Sequence, residues 1–160
     1  MARDMKEQLI QWANAGDGDC MFKLAIIYRN EGKIPAADEW LVKSAKAKNF
    51  FAMKEYAAIL RDKGDVVAAR ELYKEIVEMF CDTEAMENLL DISQDDPEIL
   101  KFILNKIDSM YNEIYLRDYQ ILRRTWDLGT RRHNECTIQT LAAVERRRIA
   151  SRIRKLLAAN

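Results

Sequence analysis

The sequence is poor in the residues from which active sites, disulfide frameworks and phosphate-binding loops are built. Its 160 residues include one histidine, three cysteines, five glycines and two prolines. An odd number of widely spaced cysteines argues against a fully bridged secreted domain and forms no zinc pattern. His133 has no paired nucleophile or metal-ligand spacing around it, and no glycine-rich phosphate loop or nucleophile elbow occurs. We therefore expect a chain that is not an enzyme, has no catalytic or metal-binding residues and needs no cofactor.

Long apolar runs are also missing. No stretch approaches the roughly 18 consecutive apolar residues of a membrane helix, and residues 1–6 carry charge in place of an apolar leader. We therefore expect no membrane insertion and a cytoplasmic location. Because glycine and proline are scarce, long uninterrupted helices are expected. Hydrophobic residues make up 49% and charged residues 32% of the chain, which is ordinary for a helical protein in water.

What the sequence does contain is one unit written twice. Residues 20–45 are followed, without a gap in the alignment, by a similar segment at residues 52–77, so the period is 32 residues. Identical pairs include Met21/Met53, Ala25/Ala57, Arg29/Arg61, Gly32/Gly64, Ala36/Ala68, Ala37/Ala69 and Glu39/Glu71. A period of this length indicates a supersecondary unit that buries its apolar face only by stacking on neighbours.

Each copy reads as two helices around a tight turn. Asp17 and Asn49 stand where N-caps of the first helices belong, because a short side-chain oxygen can accept a hydrogen bond from the amides of the first turn. Gly32 and Gly64 end those helices, since glycine adopts the left-handed conformation without a Cβ clash. Pro35 opens the next helix. Cys20 aligns with Ala52 and Ala85, which favours a small buried residue over a reactive thiol.

These markers resemble those of the tetratricopeptide repeat. The resemblance rests on a small residue in the first helix (Ala25, Ala57), a large one a turn later (Tyr28, Leu60), a turn glycine, and an alanine early in the second helix (Ala37, Ala69). The segment from Glu39 to Ala45, with its tryptophan and Lys-Ser-Ala ending, also resembles the Sel-one-like variant. The resemblance implies a solenoid of helical hairpins whose concave groove binds a peptide or another protein.

In the tetratricopeptide family the first helix of each unit lines the concave surface. The resemblance therefore implies a partner-binding groove formed by Phe22, Lys23, Ile26, Arg29, Asn30, Lys54, Ala58, Arg61, Asp62, Glu87 and Asp91. Arg29 and Arg61 are the best candidates for holding an acidic ligand, because a guanidinium offers paired donors to a carboxylate. The alternative is that they are exposed residues stabilising helix C-termini. Ile26 and Ala58 stand at the asparagine places of family members that clamp a terminal carboxylate, which argues against that clamp.

The segments on either side of the two copies extend the helical pattern. Residues 3–15 predict a helix with Met5, Leu9, Trp12 and Ala13 on one apolar stripe, and a degenerate third unit begins at Asp82. A long helix starts at Pro97, with Asp96 as its N-cap, and runs to about residue 127 with two apolar stripes. Gly129 ends it, a loop covers residues 130–134, and a final helix spans about 135–158.

The predicted fold is therefore all-α: a right-handed stack of antiparallel helical hairpins, followed by a long helix and a basic terminal helix. Residues 1–96 form the stack, with the two clear repeats at 18–81 and partial repeats on either side. Residues 97–160 form a C-terminal extension packed on the stack within the same domain. We expect one domain because 160 residues suffice for a single core.

Charge is divided along the chain although the total is zero. Residues 117–160 hold eleven Lys or Arg against four Asp or Glu, whereas residues 1–116 hold fifteen against twenty-two. Most of the positive charge on the final helix comes from Arg146, Arg147, Arg148, Arg152, Arg154 and Lys155. This helix has three interpretations: a capping helix with a solvated basic face, a helix that pairs with its copy in a homodimer or with a partner protein, and a nucleic-acid-binding helix. In the third, Tyr115, Tyr119 or Trp126 would stack on bases.

The function that we expect is protein–protein interaction by a small adaptor or regulatory module, whose groove takes a peptide or partner helix. The alternative is a nucleic-acid-associated regulator that uses the arginine-rich final helix. Adsorption to a membrane surface is less favoured, because the basic helix lacks bulky aromatic residues for insertion.

Overall fold

The computed structural model describes residues 2–110 and 135–159, with side chains at 5–110 and 143–159. These residues form helices connected by short turns, and no strand occurs among them. The helices are α1 (Ala2–Asn14), α2 (Gly18–Asn30), α3 (Ile34–Lys46), α4 (Phe50–Asp62), α5 (Val66–Phe80), α6 (Thr83–Asp91), α7 (residues 97–110) and α8 (Glu135–Ala159). The all-α prediction is confirmed at this level. The predicted end of the long helix, Gly129 and the loop with His133 lie outside the described residues.

The predicted N-caps of α2 and α4 are present, and the same type of cap occurs at the start of α6. The side-chain oxygens of Asp17, Asn49 and Asp82 each accept a hydrogen bond of 2.9 Å from a backbone N–H three residues later. This pattern satisfies one otherwise unpaired amide in the first turn of α2, α4 and α6. Asp96 does the same for α7, accepting bonds from the amides of residues 98 and 99. The sequence thus encodes the start of each of these helices locally.

The turn glycines also lie where the repeat places them. Gly32 and Gly64 adopt positive φ angles of 73° and 83°, one after α2 and the other after α4. The next helix then begins at Ile34 or Val66, and Pro35 lies in the first turn of α3 as predicted. The two glycines are 32 residues apart, which is the period of the repeat, so the two turns occupy equivalent positions in the two copies. Each copy is therefore a pair of consecutive helices around the same turn.

The chain divides into two compact units, Met1–Ile76 and Val77–Asn160. In the first unit, α2 packs on α1 and α3, and α3 packs on α4. Its core contains the small residues shared by both copies, including Ala25, Ala37, Ala57 and Ala69, each no more than 1% exposed. Small side chains at these positions allow the helices to approach closely. The prediction of one domain with an extension starting at residue 97 stays a prediction.

The second unit has its own buried core. Met86, Leu89 and Leu90 of α6 are buried, as are three members of the predicted stripe on α7, namely Leu100, Ile103 and Ile107. Ile149 and Ile153 of α8 are also buried. α8 packs on α6 within this unit. The second predicted stripe of the long helix lies largely outside the described residues.

The stripe predicted for α1 is only half correct. Leu9 and Ala13 are buried in a cluster with Cys20 and Leu24 of α2. Met5 and Trp12, in contrast, are 64% and 54% exposed. The buried face of α1 is therefore narrower than the sequence indicates, because packing against α2 buries Leu9 and Ala13 but leaves Met5 and Trp12 largely exposed.

Candidate functional site

None of the predicted groove residues is buried. Lys23, Ile26, Asn30, Asp62, Glu87 and Asp91 are exposed, and the remaining members are half-buried, namely Phe22, Arg29, Lys54, Ala58 and Arg61. All except Glu87 and Asp91 belong to the first unit, and these two belong to the second. The surface contributed by α2 and α4 can therefore be described as one face.

Aromatic side chains join α2 to α4 on this face. The rings of Phe22 and Phe51 stack with their centroids 6.1 Å apart and their planes at 18°. Phe50 meets Phe51 edge to face at 5.3 Å, and Lys54 Nζ lies 5.2 Å from the Phe50 centroid. Offset stacking and cation–π contacts of this kind are favourable geometries. The contact places the first helices of the two copies side by side.

The aromatic side chains are also accessible to a partner. Phe51 is 63% exposed, and Ile26, one helical turn after Phe22, is 41% exposed. Phe22 and Phe50 are half-buried beside them, so exposed and half-buried apolar side chains form one patch on this helix pair. We refer to Phe22, Ile26, Phe50 and Phe51 as the aromatic face.

Two polar contacts bracket the aromatic face. At the start of the helices, Asn49 Nδ2 donates a hydrogen bond to Asp19 Oδ1. On the other side of the aromatic face, the guanidinium of Arg29 in the last turn of α2 pairs with the carboxylate of Glu55 in the middle of α4. Both contacts connect the first helix of one copy to the first helix of the next. The two helices are thereby fixed at both ends of the aromatic face.

The two arginines predicted to hold an acidic ligand already have carboxylate neighbours. Arg29 pairs with Glu55 as above, and Arg61 bonds to Asp62 through Nε and Nη2 at 3.2 and 3.1 Å. Each arginine also lies in the last turn of its helix, where a cation is favoured by the helix dipole. A role in ligand binding stays a prediction for both, because an incoming carboxylate would compete with these pairs.

The repeat alignment did not single out Phe51 or Glu55. Their equivalents in the first copy are Asp19 and Lys23, so no residue type is shared at either position. α4 contacts α2 through the side that carries Phe51 and Glu55, whereas α2 contacts α4 through a different side, which carries Phe22 and Arg29. Equivalent positions in the two copies therefore have different neighbours. Spacing within α4 was the available signal, since Phe51, Glu55 and Ala58 follow at intervals of four and three along one side.

The basic residues of α8 fall into two groups in the second unit. Arg146 is half-buried, whereas Arg147, Arg148, Arg152, Arg154 and Lys155 are exposed. Arg152 pairs with Asp91 of α6 at 2.8 Å, and Arg154 lies 3.8 Å from an Asp108 oxygen of α7. Asp91, expected to line the groove, thus contacts α8. These pairs agree with the interpretation in which the basic helix is attracted to acidic neighbours.

The chemically reactive groups are few in the described part of the chain. Cys20 is 5% exposed, which confirms the prediction of a small buried residue, and burial raises the pKa of its thiol. The described residues include no group of three or more His, Cys, Asp or Glu side chains placed to hold a metal ion. No described helix combines the length and apolarity needed to cross a membrane. The side chain of Cys136, together with Tyr115, Tyr119 and Trp126, lies outside the described residues.

Comparisons with protein-family models, with curated proteins and with solved structures found no match. The resemblance to the tetratricopeptide and Sel-one-like repeats therefore rests on the residues quoted from the sequence.

Proposed function

We propose that this chain is a protein–protein interaction module, a small non-catalytic adaptor that binds a peptide or partner helix of another protein. The hairpins form a right-handed, tetratricopeptide-like stack, and the first helices supply the binding surface. The observation that carries the proposal is the stack of the half-buried Phe22 on the exposed Phe51, which spans two adjacent first helices. Exposed aromatic clusters are the commonest anchors of protein interfaces.

Two further observations support the same surface. The contacts on either side of it, Asn49 to Asp19 and Arg29 to Glu55, connect α2 directly to α4 and limit their relative movement. A rigid surface loses little conformational entropy on binding, which favours affinity. Charged residues of both signs, including Lys23, Arg29 and Glu55, lie around the aromatic face, as expected for the polar rim of an interface with an apolar core.

The proposal is tested by selecting ligands from a displayed library of random peptides against the immobilised full chain. Each recovered peptide is synthesised with a fluorophore, and its affinity is measured by fluorescence anisotropy. We expect Phe51→Ala to weaken binding by about tenfold or more, because truncating a central aromatic anchor typically costs ~2 kcal/mol. Since Phe51 is 63% exposed, this variant should keep the fold.

Trp12→Ala is the matched control. Trp12 is a comparably exposed aromatic residue on α1, away from the aromatic face. Peptides that bind the proposed surface should retain their affinity for this variant within about twofold, which corresponds to ~0.4 kcal/mol. Equal losses in both variants, or full affinity for Phe51→Ala, would show that the peptides bind elsewhere and would remove the support for this function.

A further inference from the structure

The exposed side of α8 carries a stripe of five cations. Arg147 and Arg154 are seven residues apart, as are Arg148 and Lys155, so each pair forms a row along the helix. Arg152 lies beyond the second row. The only acidic residue of α8 with a described side chain is Glu145. We refer to Arg147, Arg148, Arg152, Arg154 and Lys155 as the basic stripe.

Among the residues with described side chains, the ion pairs of the basic stripe lie at its two edges. Arg152 pairs with Asp91 on α6, and Arg154 approaches Asp108 on α7. Among residues with described side chains, Arg147, Arg148 and Lys155 have no ion pair. The helix is thus tied to its own unit at both edges while its central cations face solvent.

Between residues 143 and 159, the apolar side of α8 is already covered. Ile149, Ala150 and Ile153 are at most 3% exposed in the core of the second unit. A membrane-adsorbed helix must instead lay its apolar face into the lipid, so this helix cannot adsorb without unpacking. The same burial occupies the side with which α8 would form a coiled coil.

The exposed side of α8 also lacks the anchor residues of a protein interface. Between residues 143 and 159, Val144 is its only large exposed hydrophobic residue, at 58%. Protein interfaces are built around apolar or aromatic anchors, with charges at the rim. Nucleic acids, in contrast, are bound largely through phosphates, for which rows of arginine and lysine are sufficient.

We infer that the basic stripe of α8 binds the phosphate backbone of a nucleic acid, without reading base sequence. Arg147, Arg148 and Lys155 make the phosphate contacts, Arg152 and Arg154 already have carboxylate partners in the same unit, and the burial of Ile149 and Ile153 holds the helix in place. This activity is separate from peptide binding on the aromatic face.

The test is fluorescence anisotropy of the full chain with a labelled DNA duplex of about 20 base pairs, at salt concentrations from about 50 to about 200 mM. The variant Arg147→Gln/Arg148→Gln/Lys155→Gln removes the three central cations and keeps good helix formers at these positions. We expect its affinity at the lowest salt to fall by about tenfold or more. The slope of log affinity against log salt should become less steep by about 2.7, because each phosphate contact contributes ~0.9.

The matched control is Lys46→Gln/Lys63→Gln/Lys101→Gln, which removes three exposed cations outside α8 and changes the net charge by the same amount. It should bind DNA almost as the unchanged chain does. The inference is overturned if both triple variants lose affinity equally, or if the unchanged chain fails to bind the duplex at the lowest salt. It is also overturned if poly-glutamate of equal charge competes as well as unlabelled duplex, or if anionic vesicles bind more strongly than DNA. Circular dichroism of each variant confirms that α8 remains helical.

Discussion

Ser44 near the end of α3 donates a hydrogen bond of 2.7 Å from Oγ to the carbonyl oxygen of Gly18 at the start of α2. The serine is fully buried, and a Cβ added at Gly18 would lie 3.2 Å from the Cβ of Ala47. The hydrogen bond and the close packing of α2 against the end of α3 therefore occur at the same point of the first copy, next to Gly18. The second copy has Phe50 and Ile76 at these two positions, so it has no side-chain donor for an equivalent hydrogen bond.

Replacing Ser44 by alanine should destabilise the protein by about 1 kcal/mol, because it removes one buried hydrogen bond while Gly18 keeps the rest of its helix. The measurement is denaturant unfolding followed by circular dichroism. Ser151→Ala is the control, since Ser151 is exposed on α8 and should change the free energy of unfolding by less than about 0.5 kcal/mol. Indistinguishable unfolding curves for the two variants would contradict the role given to Ser44.

Local features of this fold could be predicted from the sequence. Asp17 and Asn49 accept hydrogen bonds from amides three residues away, and Gly32 adopts a positive φ at its own position. These effects depend only on a few neighbouring residues, so they can be predicted from a short stretch of sequence. The buried alanines follow from the repeat, because a position that is small in both copies indicates a close approach. The existence and the limits of the first helices were therefore accessible without a structure.

Contacts between helices were less accessible. Phe51 and Glu55 face α2 through an edge of α4 that has no equivalent in the alignment. Met5 and Trp12 belong to an apolar stripe whose exposure depends on how much of α1 its neighbour covers. The division of the basic stripe into paired edges and a free centre depends on where α6 and α7 place their carboxylates. Each of these outcomes is decided by a partner element that periodicity alone does not specify.

Glu31 connects the first hairpin to α1 and should make stability depend on pH. Hydrogen bonds from Lys6 and Lys33 lower the pKa of the Glu31 carboxyl from its usual 4.5. The ammonium of Lys6 is also held near the first hairpin by the Tyr28 ring, whose centroid lies 4.1 Å from Nζ. A lowered pKa in the folded state means that the charged form is stabilised by folding. The contribution of Glu31 to the free energy of unfolding is therefore complete above pH 4.5 and is lost as the pH falls through the folded-state pKa.

The comparison of Glu31→Gln with the unchanged chain isolates this effect. At neutral pH the variant should be the less stable of the two, and the difference in the free energy of unfolding should shrink as the pH falls below 4.5. Urea unfolding at a series of pH values from neutral to acid provides the measurement. The N-cap Asp17, whose pKa is also lowered, titrates in both proteins and cancels in the difference. A difference that is constant with pH would show that Glu31 does not titrate through these bonds.

Cys20 should react more slowly than Cys81 with an alkylating reagent. Burial raises the pKa of the Cys20 thiol and also shields it, whereas Cys81 is only half-buried. Reaction requires the thiolate and access, so the rates should differ on the order of tenfold. Timed labelling with iodoacetamide at mildly alkaline pH, followed by peptide mapping, measures both sites in one sample. In denaturant the two rates should converge, and comparable rates in the native protein would contradict the burial of Cys20.

The pair of Asp91 and Arg152 should contribute little to stability despite its short distance. The two side chains are 57% and 48% exposed, so water and salt screen the attraction. A double-mutant cycle with Asp91→Asn and Arg152→Gln should give a coupling free energy between about 0.2 and 1 kcal/mol, and it should decrease as salt is added. Arg147→Gln serves as the control because it should show no coupling to Asp91→Asn. A coupling well above this range, insensitive to salt, would mean that the pair is desolvated and that α8 is held to α6 mainly by charge rather than by the burial of Ile149 and Ile153.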